Sequence, residues 1–301
     1  MLGMIGLGKM GYNMALRLLN KKDNKKEKIL VYNRTPEKIK EISKKGATPS
    51  YSFEEFFNKL KQPRIIWLMV PHESVSEVLK KIKPYMKKGD ILVDGGNSYF
   101  KDSIKRYKEM KKIGVKFLDV GVSGGLKGAK TGYSMMIGGD KDAYKKVEPL
   151  IKKMCVKNGY AFFGEPGSGH YVKMIHNAIE YGMMQSIGEG FDLAKNGYYK
   201  NIDLKKLADV WSNGTIIQGF LMDMTRNGLI RHNNLEKIDG YVPESGEARW
   251  AVKTAKEHKV RLGAINYSLN ERIKSKKNKN FSNKLVAVIR DEFGGHGVKK
   301  K

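Results

Sequence analysis

The sequence has only one cysteine, Cys155, in 301 residues, so an internal disulfide framework is excluded. A lone cysteine is typical of proteins that work in a reducing compartment. The chain also has no uncharged apolar run of the roughly 18 residues that a membrane span needs. Its first residues, MLGMIGLGKMG, lack a basic region, and glycines interrupt their apolar run too early for a signal peptide. We therefore expect a cytoplasmic protein that does not bind a membrane.

Acidic residues are also scarce, because 31 Asp and Glu stand against 58 Lys and Arg and leave a net charge of +27. A positive cleft would attract polyanionic small molecules and raise their rate of association. Nucleic-acid binding is a second interpretation of this charge, and lysines that merely cover solvated faces are a third. The lysines are scattered, as in 21–28, 38–45 and 274–279, and no module of interleaved basic and aromatic residues stands out. We expect no nucleic-acid partner.

The first half of the chain alternates strand-like and helix-like segments, which is the pattern of a parallel sheet with crossover helices. Short apolar runs predict strands at 1–6, 29–32, 65–70, 91–94 and 117–120, with further candidates at 135–137 and 160–163. Segments with helical period separate them at 10–20, 36–45, 74–85 and 103–113. This alternation predicts an α/β fold class for the N-terminal part of the chain.

The pattern changes after the glycine-rich segment 164–169. Strand-like alternation stops, and segments with helical period follow at 169–196, 203–213, 215–228 and 246–271. The last residues begin with a lysine-rich stretch, contain a short predicted helix at 282–291 and end in a polar segment. The sequence therefore predicts an α/β domain over 1–165, an all-helical substrate and oligomerisation domain over 166–274, and an extended tail over 275–301.

A glycine motif, G-x-G-x-x-G, links the first predicted strand to the first predicted helix. Gly6 permits a tight turn, Gly8 lets the backbone approach a pyrophosphate, and Gly11 lets helix and strand pack closely. The free N–H groups of the helix N-terminus then face the phosphates. This position between strand and helix predicts a Rossmann-type dinucleotide-binding domain. The expected cofactor contacts are Gly6, Leu7, Gly8, Lys9, Met10, Gly11, Val70 and Asn97.

The second predicted strand ends at Asn33, Arg34 and Thr35, where NAD-binding enzymes usually carry an acidic residue for the ribose 2′-hydroxyl. Here the three side chains supply hydrogen-bond donors and a fixed positive charge, which suit a 2′-phosphate. The alternative is that Arg34 is simply a solvated surface residue. We expect NADP to be preferred as cofactor, with NAD possible.

The segment 169–181 places polar side chains along one face of a predicted helix. Lys173, His176, Asn177 and Glu180 fall at i, i+3, i+4 and i+7, which is one stripe of a helix surface. The stripe directly follows the nucleotide domain, where an interdomain active site would lie. Lysine can serve as a general base only if burial and nearby positive charge lower its pKa. A solvated helix face with an ion pair is the alternative interpretation.

Two glycine-containing loops follow neighbouring predicted strands, at 94–98 and 121–129. Ligands of an open α/β sheet lie at the carboxyl ends of its strands. Paired glycines expose backbone N–H groups that can bind an anion, and Asn97 and Ser123 add side-chain hydrogen bonds. The alternative is two tight turns that need glycine for a positive φ.

These segments together resemble the decarboxylating 6-phosphogluconate dehydrogenases, and they occur in the same order along the chain. The resemblance covers the glycine motif with Asn13, the loop at 94–98, residues 122–125 and the helix at 173–181. Residues 290–296 are also similar to that family's C-terminus, and residues 132–139 and 245–250 resemble its short form. The chain departs from many short forms at 33–35, where they carry an acidic residue and use NAD. It departs from many long forms at Lys127, where they have an acidic residue.

The resemblance implies oxidative decarboxylation of 6-phosphogluconate to ribulose 5-phosphate and carbon dioxide, in the pentose phosphate pathway and gluconate utilisation. Lys173 would be the base at the C3 hydroxyl, and Glu180 would protonate C1 of the enediol. The carboxylate and hydroxyls would be held by Asn97, Ser123, Gly124, Gly125, His176 and Asn177. The phosphate would be held by Tyr181, Arg272, Arg290 and His296. This chemistry requires no metal, and we expect no metal site.

The family's C-terminal tail reaches the active site of a neighbouring subunit. By this resemblance we expect a homodimer or homotetramer with tail exchange, in which Arg290 and His296 act across the interface. A frayed tail without contacts is the alternative. The rival function is a non-decarboxylating β-hydroxyacid dehydrogenase of the 3-hydroxyisobutyrate type, which would not need the loop at 94–98 or the phosphate-binding tail. A catalytically silent nucleotide-binding or nucleic-acid-binding protein is a further alternative.

Overall fold

The computed structural model describes residues 1–20 and 27–300, and its backbone divides into two compact units, Met1–Met174 and Ile175–Lys301. Residues 21–26, which belong to the first lysine-rich stretch, and Lys301 lie outside the described residues. The predicted boundaries at 165/166 and 274/275 differ from this division, so the three-part organisation stays a prediction. Across the described ranges, no helix combines the length and the apolar character needed to cross a bilayer.

An eight-stranded sheet forms the first unit, in the order β3-β2-β1-β4-β5-β6-β7-β8. The strands are β1 (Leu2–Ile5), β2 (Ile29–Tyr32), β3 (Thr48–Pro49), β4 (Ile65–Leu68), β5 (Ile91–Asp94), β6 (Lys116–Ser123), β7 (Tyr133–Gly139) and β8 (Cys155–Phe162). Neighbours pair in parallel except β6 and β7, which are antiparallel. The mostly parallel sheet confirms the predicted α/β class. The sequence pattern missed β3, which has two residues, one of them a proline, and lies at the sheet edge where proline is tolerated.

Seven helices described in the first unit cover the sheet. They are α1 (Lys9–Leu19), α2 (Pro36–Ser43), α3 (Phe53–Lys59), α4 (His72–Ile82), α5 (Phe100–Lys112), α6 (Gly125–Thr131) and α7 (Lys141–Met154). The central strands are buried on both faces: alternate side chains of a strand point to opposite faces, and both sets are buried. In β4, Trp67 belongs to one hydrophobic cluster, whereas Ile66 and Leu68 belong to the other. Burial on both faces explains why the strands are short, continuous apolar runs.

The second unit is helical in its described residues, as the sequence predicts. A long helix, α8 (Ser168–Asn196), runs into it and is followed by α9 (Leu204–Trp211), α10 (Phe220–His232), α11 (Glu247–Glu257), α12 (Gly263–Lys274) and α13 (Phe281–Gly294). The predicted helical segment 246–271 is broken between α11 and α12. Lys259 has a φ of 57° there, a left-handed conformation that cannot continue an α-helix.

The C-terminal helix α13 packs into the core of the second unit. Leu285, Val286 and Ile289 are buried in the same hydrophobic cluster as Met222 and Leu229 of α10. The short helix expected at 282–291 is therefore longer than predicted, and its apolar face belongs to a core. The segment expected as a tail, 275–301, therefore contains this packed helix, and the residues after Gly294 follow it.

Candidate active site

The glycine motif forms the turn between β1 and α1. Gly6 has a φ of 101°, and a Cβ there would lie within 2.8 Å of the carbonyl carbon of Met69. A Cβ at Gly11 would collide with the carbonyl oxygen of Gly6. A Cβ at Gly8, by contrast, would have nothing within 4 Å. Gly6 and Gly11 are therefore required by packing, and the open space over Gly8 fits the close approach of a pyrophosphate to the backbone.

The N-terminus of α1 suits an anion. Gly8 is its N-cap, no side chain caps the helix, and no acidic residue lies in its first turn. The first N–H groups of a helix lack intrahelical acceptors and carry the positive end of the helix dipole. The residues present therefore fit the phosphates of a dinucleotide cofactor.

The residues after β2 have two kinds of surroundings: one bonds the glycine loop, and the next two face solvent. Asn33 Oδ1 accepts a hydrogen bond from the backbone N–H of Leu7 at 2.9 Å, and Asn33 Nδ2 donates to the carbonyl of Thr35 at 3.1 Å. Arg34 and Thr35 are exposed. The Asn33 amide thus ties the loop to β2, a role that the sequence analysis missed. Arg34 and Thr35 remain the candidates for a ribose 2′-phosphate.

A buried carboxylate shapes the loop after β5. Asp94 is fully buried and accepts hydrogen bonds from Gly96 N at 3.1 Å, Ser98 Oγ at 2.9 Å and Arg106 Nη1 at 3.0 Å. Arg106 also donates to Ser76 Oγ at 3.1 Å. An ion pair with this many partners offsets the cost of burying both charges and fixes the backbone of the loop.

Asn97 joins this loop to the one after β6. Its Oδ1 accepts from Val122 N at 2.9 Å, and its Nδ2 donates to Val122 O at 3.3 Å. Asn97 has a φ of 50°, a left-handed conformation that asparagine tolerates better than most residues. Ser123 then ends β6, and Gly124 and Gly125 have φ values of 123° and 51° as α6 begins. The structure therefore brings the two predicted substrate loops together.

Strand β6 holds the first turn of α8, which carries Lys173. Asp119 accepts hydrogen bonds from Gly167 N at 2.7 Å and His170 N at 2.8 Å, so it caps the helix N-terminus. Burial raises the pKa of the Asp119 carboxyl, and its interactions with His170 oppose this rise. Ser103 Oγ in turn lies 2.8 Å from His170 Nδ1. The start of α8 is therefore fixed to the sheet by polar contacts that sequence analysis did not find.

Lys173 itself is only 5% exposed and passes close to Gly121 of β6. A Cβ on Gly121 would lie 2.8 Å from Lys173 Cγ and still nearer to Lys173 Cβ. The missing side chain of Gly121 makes room for the lysine stem. A buried lysine amine is the kind of group that can serve as a base.

In the second unit, α8 supplies His176 and Asn177 to a hydrogen-bonded cluster. His176 Nδ1 lies 2.9 Å from Asn177 Oδ1, and Asn177 Nδ2 donates to Glu247 Oε1 at 3.0 Å. Ser245 donates from its hydroxyl to Glu247 Oε2, and its N–H donates to the Tyr181 hydroxyl oxygen at 3.1 Å. Ser245 and Glu247 are new members of the site. Their distance in sequence from α8 gave no local signal of this contact.

Two buried arginines lie beside Tyr181. The guanidinium carbon of Arg272 is 3.2 Å from the centroid of the Tyr181 ring. Burial lowers the pKa of Arg272 to about 10, and the charge of Arg290 acts in the same direction. Burial also lowers the pKa of Arg290, while Tyr181, Glu180 and Glu247 oppose that shift. A phosphate dianion would satisfy two neighbouring guanidinium groups through their fixed donor geometry.

The two predicted tail residues differ in their surroundings. Arg290 is 7% exposed and lies within its own chain's second unit, because α13 is part of that core. The expected action of Arg290 across a subunit interface stays a prediction. His296 is exposed and its ring lies against Phe293, with centroids 6.4 Å apart. Arg290 therefore joins the Tyr181 and Arg272 cluster, whereas the expected role of His296 stays a prediction.

Comparison with known proteins matches two parts of the chain to two family models. Residues 1–163 match the family model for the NAD binding domain of 6-phosphogluconate dehydrogenase, and residues 169–282 match the model for the C-terminal domain of that enzyme. The chain is 41% identical over 300 residues to YqeC of Bacillus subtilis, whose name marks it as a candidate 6-phosphogluconate dehydrogenase, with 100% of this chain and 99% of that one covered.

A second relative and a solved structure extend the comparison. The chain is 35% identical to the NAD(+)-dependent, decarboxylating 6-phosphogluconate dehydrogenase of Haloferax volcanii, over 100% of this chain and 99% of that one. The structure of Plasmodium falciparum 6-phosphogluconate dehydrogenase matches with a TM-score of 0.80 and 30% identity, over 97% of this chain and 70% of that one. Two matching domain models and full-length relatives lead to one conclusion: the chain belongs to the 6-phosphogluconate dehydrogenase family.

Proposed function

We propose that this protein oxidises and decarboxylates 6-phosphogluconate to ribulose 5-phosphate and carbon dioxide, with NADP as the preferred hydride acceptor. The observation that carries the proposal is the helix α8, which bears a buried lysine at 173 and a carboxyl at 180, two turns later on the same stripe. The pair of buried arginines beside Tyr181 supplies the charge that the substrate phosphate needs.

In this proposal Lys173, as the neutral amine, takes the proton of the C3 hydroxyl. A nicotinamide cofactor, held by the glycine turn and the N-terminus of α1, would supply the acceptor for the hydride that leaves C3. The product is a 3-keto acid whose carboxylate is β to the carbonyl, so carbon dioxide leaves and its bonding electrons move to the C3 oxygen. The protonated Lys173 returns its proton to that oxygen and stabilises the charge that forms there.

Glu180 completes the reaction as a general acid. It donates a proton to C1 of the enediol, while Lys173 again accepts the proton of the oxygen that becomes the ketone. A carboxyl can donate in this way when its surroundings keep it protonated. Asn97, Ser123 and the backbone of Gly124 and Gly125 are proposed to hold the substrate carboxylate and hydroxyls. Tyr181, Arg272 and Arg290 are proposed to surround the phosphate.

The test is an absorbance assay for reduced cofactor with 6-phosphogluconate and either NADP or NAD, together with detection of carbon dioxide and ribulose 5-phosphate. Reduced cofactor without both products would favour the 3-hydroxyisobutyrate type of activity.

The Lys173→Ala variant should lose most of its turnover while still binding cofactor. Lys141→Ala, which removes an exposed lysine on α7, is the matched control and should keep the activity of the unmodified protein. Near-normal kcat in Lys173→Ala would remove this lysine from the mechanism.

The proposed preference for NADP rests on Arg34 and Thr35, which are exposed after β2. No acidic residue stands at positions 33–35. A guanidinium suits a 2′-phosphate through charge-assisted hydrogen bonds. The name of the Haloferax volcanii relative specifies NAD(+), so family membership alone does not fix the cofactor. The ratio of kcat/KM for the two cofactors measures the preference directly.

A cytoplasmic homo-oligomer, dimer or tetramer, is part of this proposal. Ile175, Ile179 and Met183 form an apolar stripe on α8, with 37%, 50% and 52% of each side chain exposed. Such a stripe at i, i+4 and i+8 is well suited to packing against another helix. The proposed tail exchange concerns Arg290 of α13 and His296, which follows the end of that helix.

Mixing two inactive variants tests tail exchange. Lys173→Ala and His296→Ala chains are unfolded and refolded together. If His296 completes the partner's site, each mixed dimer holds one site with both intact residues, and activity returns. If His296 serves its own chain, each site in the mixed dimer lacks one residue and the mixture stays as inactive as its components. Light scattering of the unmodified protein gives the number of subunits.

A further inference from the structure

Glu247 lies at the start of α11 and joins two arms of the candidate site. Glu247 is only 9% exposed. One carboxylate oxygen accepts from Asn177 Nδ2 at 3.0 Å, and the other accepts from the Ser245 hydroxyl. Asn177 leads to His176, and Ser245 leads to Tyr181. One carboxylate is thus the common end of two hydrogen-bond chains.

An ionised carboxylate can only accept hydrogen bonds, and this fixes the direction of the first chain. Asn177 must present its NH₂ group to Glu247, so its carbonyl oxygen faces His176. His176 Nδ1, 2.9 Å from that oxygen, must then carry a proton in order to donate. In the neutral imidazole the other nitrogen, Nε2, is then an acceptor.

The second chain has a fixed direction for the same reason. The Ser245 hydroxyl donates its hydrogen bond to Glu247. Its oxygen therefore accepts a hydrogen bond from the Tyr181 hydroxyl, 3.2 Å away. The backbone N–H of Ser245 donates to the Tyr181 oxygen at 3.1 Å and holds that hydroxyl in place. The proton of Tyr181 is therefore directed to Ser245.

We infer that Glu247 is a positioning residue, which sets the Nδ1–H tautomer of His176 through Asn177 and the direction of the Tyr181 hydroxyl through Ser245. The consequence for recognition rests on the proposed function. In this tautomer the neutral ring of His176 can accept a hydrogen bond from a substrate hydroxyl through Nε2 but cannot donate one to the substrate carboxylate. Tyr181 contributes to phosphate binding through its ring and its contact with Arg272, since its proton is already committed.

The Glu247→Gln variant separates this role from simple space filling, because glutamine has nearly the same shape but only one accepting end. If its NH₂ faces Asn177, that amide must turn over, and His176 Nδ1 becomes an acceptor. If its NH₂ faces Ser245, the hydroxyl of Ser245 must point back to Tyr181. Either arrangement reverses one chain. We expect KM for 6-phosphogluconate to rise by about tenfold, as for the loss of one hydrogen bond, with a smaller change in kcat.

Two further variants sharpen the comparison. Ser245→Ala breaks only the Tyr181 chain, so it should raise KM while leaving the His176 tautomer unchanged. Glu244→Gln is the matched control, because Glu244 lies in the same loop and bonds Gly246 N and Arg249 but neither chain of Glu247. It should keep KM within about twofold, since glutamine retains an acceptor for the Gly246 N–H. Melting curves verify that each variant is folded.

The decisive measurement is nitrogen NMR of the histidine rings at about pH 8.5, well above the usual histidine pKa. The chain has six histidines, and the His176→Asn variant identifies the signal of interest. We expect the unmodified protein to have a protonated Nδ1 at His176. We expect Glu247→Gln to shift this tautomer equilibrium or to raise KM through the Tyr181 chain.

An Nε2–H tautomer in the unmodified protein overturns the inference without any variant. An unchanged tautomer together with an unchanged KM in folded Glu247→Gln also overturns it. If the unmodified protein has the expected tautomer and Glu247→Gln alters it, but 6-phosphogluconate is not turned over, the proposed function fails and the positioning role of Glu247 stands.

Discussion

Replacing Gly121 by alanine should disable the protein through the position of Lys173. The new methyl group would lie 2.8 Å from Lys173 Cγ and still nearer to Lys173 Cβ. Carbon atoms prefer a separation of roughly 3.5–4.0 Å, so β6 and α8 must separate locally by about 1 Å. Asp119 opposes this movement because it bonds Gly167 N and His170 N at the start of the same helix.

This displacement gives two magnitudes. Overpacking a well-packed site costs about 1–3 kcal/mol of folding stability. A misplacement of about 1 Å at a reacting group can cost on the order of 100-fold in rate. We therefore expect Gly121→Ala to lower kcat for 6-phosphogluconate oxidation by about 100-fold while the protein remains folded. Urea unfolding measures the loss of stability, and steady-state kinetics measure the loss of rate.

Gly190→Ala is the matched control for Gly121→Ala. Gly190 also belongs to α8, and a Cβ there would have nothing within 4 Å. Alanine favours a helix over glycine by about 1 kcal/mol, so this variant should be at least as stable as the unmodified protein and equally active. If Gly121→Ala keeps kcat within about threefold of the control, the packing of Lys173 on β6 does not govern its position.

Three further predictions concern the first unit. Arg106→Met leaves Asp94 buried without its counter-charge, so the free energy of unfolding in urea should fall by about 3–5 kcal/mol; a loss below about 1 kcal/mol would contradict this role for the pair. Burial raises the pKa of Cys155 from 9.0 to about 12, so the thiol should stay protonated and unreactive toward a disulfide reagent at pH 8 until urea unfolds the chain; rapid reaction of the native protein would contradict it. Arg34→Ala should lower kcat/KM for NADP by roughly 10- to 100-fold with little change for NAD, and equal losses with both cofactors would mean that Arg34 does not bind the 2′-phosphate.

Much of the first unit could be predicted because the central strands of its sheet are buried on both faces. The run Ile91–Asp94 is apolar up to its last residue, and the loop that follows begins at the carboxyl end of a strand where ligands lie. The helical period of α8 likewise predicts a polar stripe without any structure. The two-residue strand β3 has too few residues to create a pattern.

Contacts between distant residues could not be predicted in the same way. Asn33 bonds Leu7 because β1 and β2 are neighbouring strands, with Ile5 paired to Tyr32. The local sequence of either strand does not predict which strand lies beside it. Asn177 bonds a carboxylate 70 positions away. The core position of α13 also depends on α10, so the C-terminal segment looked more exposed in the sequence than it is.

The side-chain amide of Asn97 bonds both the N–H and the carbonyl of Val122. The loop after β5 and the loop after β6 are therefore held together by hydrogen bonds, although they are separate in the chain. A movement of either one on ligand entry must be shared by the other. An insertion or deletion next to Asn97 or Val122 would therefore displace both loops and not just the one that is changed.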